Sequence, residues 1–195
     1  MLEAFYATER GSLEDATING GFDLHPELVW IDLIAPSQEE QQWVTDAYEQ
    51  NLPTLKSLED ISSSARFYRD DDGVLHISTY FLTKNKNYQV DNENDESANM
   101  LTTVQTVAFI LNKERLLTLR GEKLVAFRAF RARARRNDYD VDYKDPIWIL
   151  LGLFEAKLDE LADILEDIHK DLEKYSTEVL NNHHREQVLD LDDMI

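Results

Sequence analysis

The sequence predicts an α/β fold of the α+β kind: a mixed β-sheet sandwiched between helices and followed by a long C-terminal helix. Three observations carry this expectation. Short runs rich in β-branched and aromatic residues, separated by turn residues, fill much of the chain before residue 121. One of them, LVWIDLI at 28–34, is almost continuously apolar, as a strand buried on both faces must be. From Pro146 onward the pattern becomes helical. Phe154, Leu158, Leu161, Leu165, Ile168, Leu172, Tyr175 and Val179 recur at alternating spacings of four and three, a heptad seam over about seven turns.

Taken in order, LEAFYA (2–7) and LEDATI (13–18) predict two short strands around the turn residues Arg10-Gly11-Ser12. The strand at 28–34 lies between Pro26 and Pro36. A helix should then start, with Ser37 as N-cap, Glu40 completing a capping box, and Trp43, Val44, Ala47 and Tyr48 as its apolar stripe. Pro53 opens a second short helix through Leu55, Leu58 and Ile61. ARFYRDDDGVLHISTYFLT reads as a hairpin, with Leu75, Ile77, Thr79 and Phe81 on one face. The polar segment 84–99 predicts a loop, and TTVQTVAFILN with RLLTLR predicts a second hairpin around Lys113-Glu114. That makes four to six strands before residue 121. EKLVAFRAFRARARRN is then helical and basic.

Composition sets limits on function. The chain has 195 residues, 20 basic and 39 acidic, for a formal charge of -19. Such a charge disfavours a general polyanion binder and favours metal cations or basic partners. With 43% hydrophobic residues the chain can bury a core. It has no cysteine, so disulfides and thiolate metal sites are excluded. The N-terminus does not read as a signal peptide, and no uninterrupted apolar run reaches the roughly 18 residues of a membrane span.

Two carboxylate patterns stand out. Glu59 and Asp60 fall near the C-terminal end of their short helix, where the macrodipole disfavours negative charge by about 0.3–1 kcal/mol. A compensating cation is expected there, either Arg66 or a divalent metal. Glu155, Asp159, Asp163, Asp167 and Asp171 fall four apart on the long helix, so each neighbours the next. Repulsion along that row costs on the order of 1–2 kcal/mol in total. Each buried seam residue returns about 1.5–3 kcal/mol, so the helix needs no metal in order to form. The row drifts by about 40° per step, which makes it a stripe rather than a cage.

Several of these segments together resemble a known family. Val29-Trp30-Ile31-Asp32-Leu33 before Pro36, Leu58-Glu59-Asp60-Ile61, Ser64-Ala65-Arg66-Phe67-Tyr68, TVAFIL, Leu117-Thr118-Leu119-Arg120 and the LFEAKLDELADILEDI helix occur in an order that resembles the cytosolic domain of the CorA magnesium transporter family, in its proteobacterial branch. The resemblance implies a domain division at 1–140 for the mixed sheet and 141–195 for a helical segment that begins a long stalk helix. It implies the cytosolic, magnesium-sensing domain of a homopentameric magnesium and cobalt channel of the inner membrane, truncated before its transmembrane helices and unable to transport alone. It further implies that Glu59, Asp60 and Glu155 hold regulatory Mg2+, with Co2+ as a second ion, between neighbouring subunits. A further carboxylate of the family's set would come from a part of the long helix beyond Ile195. The pentamer is expected of the full-length protein, and the fragment alone is compatible with a monomer.

Other signals weigh less. His183 and His184 point about 100° apart on a helix and do not easily share one ion, so they read as surface residues. Within 122–137, Arg128, Arg131 and Arg135 share a face with Phe127 and Phe130 interleaved, which leaves a nucleic-acid-binding regulator as an alternative, beside a soluble divalent-metal sensor. The net charge argues against nucleic acid. Pairing of this basic helix with the acidic long helix or with a neighbouring subunit is the preferred expectation. No nucleophile elbow or phosphate loop marks an enzyme.

Overall fold

The computed structural model describes residues 1–16, 27–59, 66–84, 102–137 and 141–192, with side chains at all of them except 59, 83, 84, 102, 103 and 180–192. Seven strands form one mixed sheet: β1 (Leu2–Ala7), β2 (Leu13–Ala16), β3 (Leu28–Ile34), β4 (Phe67–Arg69), β5 (Leu75–Lys84), β6 (Thr102–Leu111) and β7 (Leu116–Arg120). Their spatial order is β2-β1-β3-β7-β6-β5-β4. The β3–β7 pair at the centre is parallel and the other pairs are antiparallel. All seven residues of β3 and all five of β7 are buried, the polar Asp32, Thr118 and Arg120 among them, as in strands covered on both faces.

Turn chemistry fixes the hairpins. Asp70 Oδ1 accepts from the amides of Asp72 and Val74, and Gly73 takes the left-handed φ of 80° that closes the β4–β5 turn. Asn112 Oδ1 accepts from the amides of Glu114 and Arg115 and closes β6–β7 in the same way.

Four helices cover the sheet: α1 (Gln38–Tyr48), α2 (Leu55–Glu59), α3 (Val125–Arg136) and α4 (Pro146–Asp192). α1 starts with the expected capping box: Ser37 Oγ accepts from the Glu40 amide, and Glu40 Oε2 accepts from the Ser37 amide. α2 starts on Thr54, whose side chain accepts from the Ser57 amide at 3.1 Å.

Strand alternation splits the core into two layers. On one face α3 and the first turns of α4 pack on Phe5, Trp30, Phe81, Val107, Phe109 and Leu116. On the other, α1 and α2 pack on Ile31, Leu33, Ile110, Leu117 and Leu119. The first layer is aromatic: Phe5 stacks on Trp30 at 4.4 Å, and Trp30 meets Phe130 edge-on at 5.7 Å. α3 and α4 approach so closely that a Cβ on Gly152 would lie 2.3 Å from the Phe130 ring.

The chain divides into two units, Met1–Lys157 and Leu158–Ile195. The first contains the sheet and both core layers. In the second, α4 continues as regular helix, and Leu158, Leu165, Ile168, Leu172, Tyr175 and Val179 are exposed along it. Among the described residues of the expected seam, Phe154 packs on the aromatic layer and Leu161 is half-buried. The expected 84–99 loop and Ile61 lie outside the described residues, apart from Lys84, which ends β5.

Candidate functional site

Glu59 is the last residue of α2, directly after Leu58, which is buried in the layer with α1. Its side chain, and all of Asp60, lie outside the described residues. Glu155 is exposed on α4 between half-buried Phe154 and buried Ala156. α2 covers one face of the sheet and the start of α4 covers the other, so the sheet stands between the backbones that carry Glu59 and Glu155. Arg66, the expected counter-cation for the Glu59-Asp60 pair, donates to the Tyr80 hydroxyl and lies 4.5 Å over that ring, and the carboxylates it was expected to meet lie outside the described residues. Tyr80 is the across-sheet neighbour that the sequence did not disclose.

In the second unit Asp159, Asp163, Asp167 and Asp171 are all exposed. Lys170 interleaves with this acidic face, pairing with Glu166 at 2.8 Å and Asp167 at 3.8 Å. Its hydrogen bond, and then its charge, lower the Glu166 pKa, and the same pair raises that of Lys170. Among the described residues no three His, Asp or Glu are grouped so as to cage a metal ion. Carboxylates spread along a water-facing helix suit an ion that keeps most of its hydration shell, as Mg2+ does. The side chains of His183 and His184 lie outside the described residues.

α4 is anchored to the sheet by Lys157. Its ammonium donates to Thr79 Oγ1 at 3.0 Å and sits over the rings of Phe81 and Phe154. Burial lowers its pKa.

In the basic helix, Arg131 donates to Glu3 on β1 and Arg135 to Asp15 on β2, so these two arginines pair with sheet carboxylates. Phe127 and Phe130, which looked available for stacking on bases, are core residues with 0% and 1% exposure. The physical reason is the helical period: the aromatic positions face the sheet, while the arginines reach past its edge to β1 and β2.

Sequence reasoning missed the most buried polar group. Asp32 and Arg120, both fully buried, form a bidentate pair, with Nε to Oδ1 at 3.1 Å and Nη2 to Oδ2 at 2.6 Å. Thr118 Oγ1 also donates to Asp32 Oδ1, so the carboxylate accepts three hydrogen bonds from two residues, and Trp30 Nε1 donates in turn to Thr118. Arg120 lies 4.3 Å from the Phe127 ring centre and fastens α3 over the parallel pair. An aspartate inside the apolar run LVWIDLI was the signal that could have exposed it.

Residues 26–194 match the family model described as CorA-like Mg2+ transporter protein. Similar sequences include the magnesium transport protein CorA of Pasteurella multocida, 36% identical over 192 residues, covering 93% of this chain and 52% of that protein. The magnesium transport protein CorA of Escherichia coli is 41% identical over 155 residues, covering 80% of this chain and 44% of that one. The chain thus spans about half the length of these relatives. The complete CorA structure from Methanocaldococcus jannaschii shares the fold with a TM-score of 0.61 at 16% identity, over 92% of this chain and 51% of that one. The cytoplasmic domain of ZntB from Vibrio parahaemolyticus shares it with a TM-score of 0.52 at 14% identity, over 85% of this chain and 62% of that one.

Proposed function

Because this chain belongs to the CorA-like Mg2+ transporter protein family, we propose that it forms the cytosolic magnesium-sensing part of a homopentameric magnesium channel of the inner membrane, able also to pass Co2+. No helix among the described residues is long and apolar enough to cross a membrane. The chain's work is to read magnesium and bias the assembly.

The observation that carries this reading is the exposed character of α4. Six large apolar side chains of its second unit face solvent on a helix that also carries a row of carboxylates. Such a helix needs company, and identical copies supply it with matched heptads. Bringing the copies together also brings their carboxylates together, and that repulsion has to be offset. A hydrated divalent ion offsets it at low cost in desolvation. Glu59 and Asp60 at the end of α2, and Glu155 at the start of α4, are the proposed Mg2+ ligands. Since the sheet separates α2 from α4 within one copy, a site using both is built between copies. Magnesium then favours the closed assembly by its differential affinity for it, and its loss lets the acidic surfaces separate.

Limited proteolysis of the full-length channel across a magnesium titration tests this. Changing Glu59, Asp60 and Glu155 together to Gln, Asn and Gln should remove most of the magnesium-dependent protection while leaving the protein folded. Protection that stays magnesium-dependent in the triple variant would place the regulatory site elsewhere.

A further inference from the structure

Between α3 and the β1–β2 edge lies an open cleft of about 410 Å³ lined by Glu3, Asp15, Arg128, Arg131 and Arg135, with the small Ala132 among them. The three arginines fall at i, i+3 and i+7, one face of the helix. Stapling α3 to the sheet accounts for only two of them: Arg131 Nη1 donates to Glu3, and Arg135 Nη2 to Asp15. The Arg128 side chain is exposed and holds no ion pair with another described residue. The described residues that line the cleft therefore carry one positive charge in excess, in a chain whose net charge is -19. Burial, and then the charge of Arg135, lower the Arg131 pKa. Each guanidinium has five N–H donors, and the bonds of Arg131 to Glu3 and of Arg135 to Asp15 use one of them in each case.

We propose that this cleft binds the polyphosphate group of a small anion, free or borne by a nucleoside. A volume of about 410 Å³ is that of a small-ligand site. Arg128 and Arg135 are separated by about 10 Å of helical rise, too far for one phosphate to bridge but within reach of two or three linked phosphoryl groups. Guanidinium forks match phosphate oxygens in geometry as well as charge. Glu3 and Asp15 hold two of the guanidiniums in place, and Arg128 at the open position supplies the contact that distinguishes an occupied cleft from a structural staple.

The test is calorimetric titration of the whole chain in EDTA with inorganic tripolyphosphate, ATP, AMP and inorganic phosphate. Tripolyphosphate and ATP should bind saturably, and AMP and phosphate far more weakly. Equal affinity for the first two identifies the phosphate chain alone as the ligand, whereas tighter ATP binding identifies a nucleotide. Arg128→Gln, which removes no ion pair and should leave the thermal midpoint unchanged, should weaken both by about tenfold or more. Lys113→Gln, an equal charge change on the exposed β6–β7 turn, should leave them unchanged. The proposal is overturned by absence of saturable binding, by equal losses in the two variants, or by RNA oligomers binding more tightly than tripolyphosphate. Binding that appears only when Mg2+ replaces EDTA also overturns it, because the anion would then follow the metal, and the magnesium reading would stand untouched.

Discussion

The two units of this chain carry apolar residues in similar abundance and treat them in opposite ways. In Met1–Lys157, Trp30, Phe109, Phe127 and Leu153 are each sealed at 0% exposure between sheet and helix. In Leu158–Ile195, Leu158, Leu165 and Leu172 stand more than 60% exposed on a regular helix. The difference is not one of local propensity, since both sets sit in well-formed secondary structure. It is one of neighbours. A helix residue is buried only if something occupies its face, and within the first unit the sheet supplies that. An exposed seam with heptad spacing is a demand for a partner, where a buried one is a demand already met.

Three substitutions sharpen the contrast. The largest effect is expected at Asp32→Ala, which leaves Arg120 buried without its carboxylate and should cost about 3–5 kcal/mol. Urea unfolding of the isolated chain measures it, and a loss below about 1 kcal/mol would mean that water reaches the pair. Next comes Gly152→Ala. The added methyl meets the Phe130 ring, so α3 and α4 must separate, at a cost of about 1–3 kcal/mol by the same measurement. An unchanged midpoint would show that the α3–α4 contact is loose. The smallest effect on the isolated chain is expected at Leu172→Gln in the exposed seam, within about 0.5 kcal/mol. In the full-length assembly the same change should weaken subunit association measurably, since a buried leucine contributes about 1.5–3 kcal/mol. If Leu172→Gln instead unfolds the isolated chain as much as Gly152→Ala does, the contrast between the units is wrong.

Much of the fold was legible because its signals are local. The capping box at Ser37 and Glu40, the Asp-Gly turn at 70–73 and the almost continuously apolar run of β3 each fix an element through residues only a few positions apart. The candidate site was legible only as residue types. Nothing local to Glu59 or Glu155 says that a sheet separates their helices. Arg66 shows the same limit: the β4–β5 hairpin brings Tyr80 beside it, a contact that no local pattern marks.

By itself, then, the sequence determined the elements, their periods and the excess of negative charge, all of which depend on residues within a few turns or one strand length. Only the tertiary structure decided which charges are spent. It joined Asp32 to Arg120, Glu3 to Arg131 and Asp15 to Arg135 across separations of 88, 128 and 120 residues. It turned Phe127 and Phe130 inward and left the later α4 seam bare. Long-range pairing depends on strand order and on which helix covers which face, and these are settled by packing the whole core at once.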